Sequence, residues 1–267
     1  MKTKCLIRPF HKPIFKFIID CDNLLSSLSL HYGDYLMDKT CDECFEIRIS
    51  KENENRYLVS YNNNKIHTKR PVFIINDIIY KNTKFTDEVL ALHGAAVEWN
   101  KKAYIFLAAT TSGKTTLASF LTFSGFDYIT DDCVLINKEN LCIYPYNCPI
   151  HLREGGYSVL KQKNVITGDI SIIYNDNTQR YIFTPKNCIT NSLDIGGIFF
   201  IERTENINCV NNISTNESIV LLMKSPITTF DINVEYMKTI VSLSRCGCQF
   251  LQYKDMEFVR DIIKDSK

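Results

Sequence analysis

The residues with the clearest chemistry lie in one stretch, Ala103-Tyr-Ile-Phe-Leu-Ala-Ala-Thr-Thr-Ser-Gly-Lys-Thr-Thr-Leu-Ala118. It reads as a buried strand, a tight turn and the first turns of a helix. The turn ends in Ser112-Gly113-Lys114-Thr115, the closing half of the phosphate-binding pattern G-x-x-x-x-G-K-[ST]. Such a loop, here Ala109, Thr110, Thr111, Ser112, Gly113, Lys114, Thr115 and Thr116, wraps backbone N–H groups around nucleotide phosphates. The helix behind it presents its positive end to the same anion. Lys114 would reach the β- and γ-phosphates of ATP or another nucleoside triphosphate, and the Thr115 hydroxyl would bind Mg²⁺. One position departs from the pattern: the opening glycine is Ala108. A Cβ at that point predicts a different path into the loop or some strain.

Phosphoryl transfer further needs anionic metal ligands and a group to receive the acceptor's proton. Asp131 and Asp132 close the apolar stretch Tyr128-Ile-Thr130 downstream of the loop. A parallel sheet would bring such a strand end back beside the phosphates. One of the two carboxylates can hold Mg²⁺, directly or through water, while the other acts as base; alternatively Asp132 simply caps a turn. His93, in Leu92-His93-Gly94, precedes the strand that feeds the loop, and histidine can shuttle protons or orient a carboxylate near neutral pH.

The elements that must position these groups are less evenly legible. Residues 1–80 read mostly as strand, including Phe15 to Ile19, Phe45 to Ile49, a hairpin around Asn62-Asn-Asn64, and Val72 to Ile75 after Pro71. A short helix is expected within Asn23 to Tyr35. The pattern from Thr86 to Gly94 predicts a helix that turns Val89, Leu90 and Leu92 inward. Lys161 to Asn177 reads as a mobile insertion, Leu193 to Ile201 as a buried strand, and Glu202 to Ser218 as polar loop. Glu235 to Arg245 and the stretch around Met256 to Ile263 show helical spacing, with the strand Gln249 to Tyr253 between them. The reading divides the chain into a β-rich segment, residues 1–84, and a nucleotide-binding domain, residues 85–267.

The chain has 267 residues and a net charge of +1, which gives no reason to expect a nucleic-acid or membrane partner. No apolar run is long enough to span a bilayer, and the N-terminus lacks a signal-peptide core, so a cytoplasmic location is expected. The eleven cysteines read as reduced, small hydrophobes; zinc shared by Cys41-x-x-Cys44 and Cys246-x-Cys248 is the weaker alternative.

Taken together, Leu92-His-Gly-Ala-Ala-Val97, Thr111-Ser-Gly-Lys-Thr-Thr116 and Tyr128-Ile-Thr-Asp-Asp132 resemble the catalytic domain of HPr kinase/phosphorylase in both order and spacing. That family's fold is similar to phosphoenolpyruvate carboxykinase. The resemblance therefore implies an α/β fold, a phosphoenolpyruvate-carboxykinase/HPr-kinase-like P-loop domain preceded by the β-rich N-terminal segment. Cys148-Pro-Ile-His-Leu-Arg-Glu-Gly155 and Cys248-Gln-Phe-Leu-Gln-Tyr253 look like the small HPr-kinase-like proteins encoded beside modified-peptide genes, some of which phosphorylate a serine of a lasso-peptide precursor.

Carried across, the resemblance makes Asp132 the general base, assisted by His93 and Lys114. Thr115 and Asp194 are the implied metal ligands, beside Asp131 from the aspartate pair. Two features depart from the family: Ala108, and Gly196 where an arginine is expected after the acidic ligand. The expectation is a one-way kinase using ATP and Mg²⁺, with a serine-bearing peptide or protein as partner. The family it resembles forms rings, which makes a homo-oligomer one option and leaves the oligomeric state open. A small-molecule hydroxyl kinase and a nucleotide-binding regulator without transfer activity are the alternatives.

Overall fold

The computed structural model describes residues 1–39, 41–109, 112–175, 178–227 and 233–266. The chain divides into two compact units: Met1–Thr86 with Asp169–Thr184, and Asp87–Gly168 with Pro185–Lys267.

In the first unit, strands β1 (Lys2–Leu6), β2 (Phe15–Ile19), β3 (Leu36–Met37), β4 (Phe45–Asn53), β5 (Arg56–Tyr61) and β6 (Asn64–Thr68) form one sheet in the order β3-β1-β2-β4-β5-β6. Strand alternation puts Phe15, Phe17 and Ile19 on one face, beside Ile47 and Ile49 of the parallel neighbour β4. Helices α1 (Asp22–Tyr32) and α2 (Pro71–Asn82) bury Leu24, Leu28, Ile75, Ile78 and Ile79 in the same core. Helix α2 corrects the expected strand at 72–75. Pro71 sits in its first turn, where a missing N–H costs nothing, and Ile75, Ile78 and Ile79 have the spacing of one helical face. The β-branched residues that suggested a strand are overruled by that packing. The patternless insertion expected at 161–177 is corrected in part: Ser171–Asn175, inside that stretch, is a strand that pairs antiparallel with Thr178–Phe183.

The second unit holds β7 (Val89–Leu92), β8 (Gly94–Trp99), β9 (Lys102–Leu107), α3 (Lys114–Phe123), β10 (Asp127–Thr130), β11 (Val134–Asn137), α4 (Glu154–Gln162), β12 (Asp194–Arg203), β13 (Cys209–Asn212), α5 (Thr215–Met223), α6 (Val234–Leu243), β14 (Cys248–Tyr253) and α7 (Met256–Asp265). Its main sheet runs β10-β8-β9-β12-β14-β13. Strands β9, β12 and β14 are mutually parallel, whereas β8 and β13 run antiparallel to their neighbours. Ile105, Leu107, Ile198 and Phe200 of the central strands share a core with Leu222 of α5 and with Tyr236, Ile240 and Leu243 of α6.

Residues 89–92 form a strand, where a helix was expected. All four side chains of β7 are fully buried, and β7 pairs antiparallel with β11. A short, wholly apolar run has no periodicity by which a strand can be told from a buried helix. Among the described residues, no helix is long and apolar enough to cross a membrane.

Candidate active site

The loop after β9 has the local geometry of an anion site. Gly113 adopts φ of +90°, a left-handed conformation that glycine takes without steric cost, and α3 begins at the next residue. The N-cap residue Gly113 has no side chain with which to cap this ten-residue helix, and among the described residues no side chain bonds its first N–H groups, an arrangement that suits an anion. Ala108, by contrast, is not among the residues with positive φ. The conformation there is open to any residue, which removes the strain expected from the missing glycine. Lys114 is buried, and its ammonium donates to the carbonyls of Ala108 and Ala109 at 3.0 Å each. Burial pushes its pKa down, and Asp132 and Asp131 oppose that shift. The Ser112 hydroxyl donates to the Ala109 carbonyl and closes the loop. The expected phosphate-binding positions Thr110 and Thr111 lie outside the described residues.

Strand direction then gathers the other groups. Gly94 at the start of β8 pairs with Leu107 at the end of β9, and Ala96 pairs with Thr130 at the end of β10. His93, the loop and Asp131-Asp132 therefore stand at one end of the sheet. Glycine is required at 94, because a Cβ there would lie 2.7 Å from Leu107 Cδ2 and 2.8 Å from the Phe106 carbonyl oxygen. Similarly, a Cβ on Gly156 would lie 2.6 Å from Thr116 Oγ1, so the start of α4 abuts the start of α3.

The two aspartates differ sharply. Asp131 is buried and accepts a hydrogen bond of 3.3 Å from Thr115 Oγ1. Its pKa is raised to about 8, first by burial and then by the Asp132 carboxylate, with the Thr115 bond opposing. Asp132 is exposed and holds φ of +68°. That conformation is uncommon outside glycine and is tolerated best by Asn and Asp. The Asp132 backbone carbonyl accepts from His93 Nδ1 at 3.1 Å. A carbonyl can only accept, so Nδ1 carries the proton and neutral His93 keeps Nε2 as its basic nitrogen. The His93 N–H in turn donates to the Ser225 carbonyl at 2.6 Å. His93 thus braces the turn that presents Asp132.

Thr115 Oγ1 and Asp131 Oδ1 are oxygen donors within reach of one ion, the donor class Mg²⁺ takes, and Mg²⁺ is commonly held by one or two protein groups plus phosphate oxygens and water. The residues present fit that ion. Among the described residues, no group of three or more His, Cys, Asp or Glu side chains is arranged to hold a metal.

Asp194 does not join them. It pairs with Lys102 at the start of β9, five residues along the strand from Leu107, and so stands at the opposite end of the sheet from the loop. Its exposed carboxylate accepts from Cys142 Sγ at 3.3 Å. The expected metal role is therefore corrected: a parallel strand that delivers its last residues to the loop must carry its first ones away from it. Gly196 lies toward the same far end, where a Cβ would meet Lys102 and Tyr104 at 2.9 Å. An arginine at 196 would not reach the loop either.

The near end also holds Arg203, which the sequence reading placed in a loop, and Tyr253, which it placed on a strand without a position at the site. Strand β12 continues through Glu202 and Arg203, which had been read as loop, and Arg203 pairs with Tyr253 at the end of β14. Tyr253 is buried, with its hydroxyl 3.4 Å from where a Cβ on Gly113 would be. The available signal was an apolar run ending in charge, the same signal that marked Asp131 and Asp132.

No protein-family model matches the chain, and no curated protein matches it. Among solved structures it is similar to the Hpr(Ser) kinase/phosphatase from Coxiella burnetii, at 10% sequence identity and a TM-score of 0.34, over 66% of this chain and 88% of that one. At that identity and score the likeness carries no residue roles to this chain.

Proposed function

We propose that the protein is an ATP- and Mg²⁺-dependent kinase that transfers the γ-phosphoryl group to a hydroxyl, the serine of a peptide or protein. The observation that carries this reading is the meeting of the loop-helix junction at Gly113, the Thr115–Asp131 pair and the His93–Asp132 pair at one end of one sheet. A site that only bound nucleotide would need the first two and would have no use for the third. The peptide acceptor rests on the likeness of the Cys148–Gly155 and Cys248–Tyr253 stretches to small kinases of modified peptides.

Each residue has a distinct task in this reading. The loop N–H groups and Lys114 hold the phosphates. Lys114 must leave the carbonyls of Ala108 and Ala109 to do so. Mg²⁺, when bound, would neutralise charge on the phosphate oxygens. Asp132, exposed and presented by the turn, takes the proton of the acceptor hydroxyl as the new O–P bond forms and the bond to the leaving diphosphate breaks. His93 keeps that carboxylate in place through its bond to the backbone.

The test is mass spectrometry of a serine-containing precursor peptide encoded next to this gene, after incubation with protein, ATP and Mg²⁺. A gain of about 80 Da, one phosphoryl group, that disappears in Asp132→Asn supports both the reaction and the base. Bound nucleotide with no product on any hydroxyl acceptor would instead assign a nucleotide-dependent regulator.

A further inference from the structure

The near end of the sheet has a second wall that the reading above leaves without a task. We propose that Arg203 is a phosphate-binding residue of the same site, its guanidinium closing on the polyphosphate from the side of β12 opposite the two aspartates. This rests on the nucleotide reading and extends it.

The backbone register places Arg203. Leu107, the last residue of β9 before the loop, pairs with Phe200, and β12 then runs three residues further to Arg203. At about 3.3 Å per residue this carries Arg203 about 10 Å past the level at which the loop departs. It therefore stands alongside the loop, at the carboxyl ends of parallel strands where ligands of such sheets bind.

The face is set by alternation. Phe199, Ile201 and Arg203 share one side of β12, and the Phe199 ring stacks on Phe106 of β9. Tyr253, the register partner of Arg203, lies on that same side with its hydroxyl against Gly113. Arg203 and the loop-helix junction accordingly occupy one face of one sheet end. The Arg203 charge is near enough to Tyr253 to oppose the effect of burial, which holds that phenol at about 12.

Arg203 is also held ready. The Thr204 N–H donates to the Tyr253 carbonyl at 2.9 Å, and Asn208 Oδ1 accepts from the N–H groups of Lys254 and Asp255, so the backbone leaving β12 is fixed. The side chain itself is exposed, and among the described residues no carboxylate pairs with it. The neighbouring Glu202 instead accepts from Gln252. Charge balance gives the guanidinium its role. The near end presents two carboxylates, Asp131 and Asp132, and Lys114 as the cation inside the loop, whereas a triphosphate is a polyanion. Arginine's planar fork suits phosphate oxygens, and a charge-assisted bond of this kind is about twice as strong as a neutral one.

The experiment compares binding of Mg²⁺-ATP and of inorganic tripolyphosphate with Mg²⁺ by calorimetry, in wild type, Arg203→Ala, Arg203→Lys and Lys114→Ala. Arg203→Ala is expected to weaken both ligands about 10- to 100-fold, with an unchanged unfolding temperature because the side chain is exposed. Arg203→Lys is expected to recover part of the loss, which a purely structural role would not predict. Wild-type affinity for both ligands in Arg203→Ala, with Lys114→Ala impaired, would overturn the assignment and leave the nucleotide site standing. Weakened ATP with unchanged tripolyphosphate would also overturn it, by placing Arg203 at the sugar or base. A wild-type protein that binds neither ligand would overturn the nucleotide reading itself.

Discussion

The two ends of the main sheet in the second unit are made by the same strands, and both carry aspartate. At one end Asp131 is buried against Thr115 and Asp132 stands on a strained, His93-braced turn. At the other, Asp194 is exposed, accepts a thiol hydrogen bond and lies across from Lys102. The residue type is the same, and strand direction separates the two environments. Carboxyl ends of parallel strands release the chain into loops and helix N-termini whose N–H groups attract anions, while the opposite ends offer nothing comparable. An acidic residue therefore acquires chemistry from the end of the sheet at which it is placed.

The comparison can be tested from its strongest contrast downward. Asp132→Asn is expected to lower phosphoryl transfer about 10²- to 10⁴-fold while nucleotide still binds, measured as the initial rate of product formation. If transfer persisted at the wild-type rate, the near end would hold no base at this position. His93→Ala removes the bond to the Asp132 carbonyl and should cost about tenfold in the same assay, since it acts through the placement of Asp132. Gly94→Ala forces a Cβ into Leu107 and the Phe106 carbonyl. An unfolding free energy about 1–3 kcal/mol lower, by denaturant titration, is the expected consequence.

Asp131 yields a test through pH. Its folded pKa, about 8, lies above the ordinary carboxylate value of 3.8, so protonation favours the folded, metal-free protein. That stabilisation is complete below pH about 4 and is lost as pH rises through about 8. In chelator and without nucleotide, the unfolding temperature should fall between pH 5 and 9. Asp131→Asn should flatten that fall and be the more stable protein at the alkaline end. An equal pH slope in both proteins would show that Asp131 is not strained by burial. The smallest effect is expected from Asp194→Asn, which should leave transfer, nucleotide binding and stability at wild-type levels. A loss of Mg²⁺-dependent activity in that variant would restore the far-end aspartate to the site.

Much of the near end was legible because its signals are local. The strand, the turn through Gly113 and the helix from Lys114 are encoded in consecutive residues, and so is the apolar run that ends at Asp131-Asp132. Other local readings failed where tertiary packing outweighs pattern. The β-branched run after Pro71 lies on a helix because Ile75, Ile78 and Ile79 face the core of the first unit. The run Val89–Leu92 is a strand because β11 pairs with it. The expected role of Asp194 failed because Asp194 opens β12, and the sequence does not contain which end of that strand meets the loop.

By itself the sequence determined a strand, a glycine turn and a helix in succession, a histidine before that strand and a pair of aspartates after the helix, because each depends on residues adjacent in the chain. Only the tertiary structure decided that Asp131 is buried and Asp132 exposed, that His93 braces the turn between them and Cys133, and that Arg203 and Tyr253 flank the loop while Asp194 does not. Strand register and direction are set by contacts between segments far apart in sequence, and no window of neighbouring residues contains them.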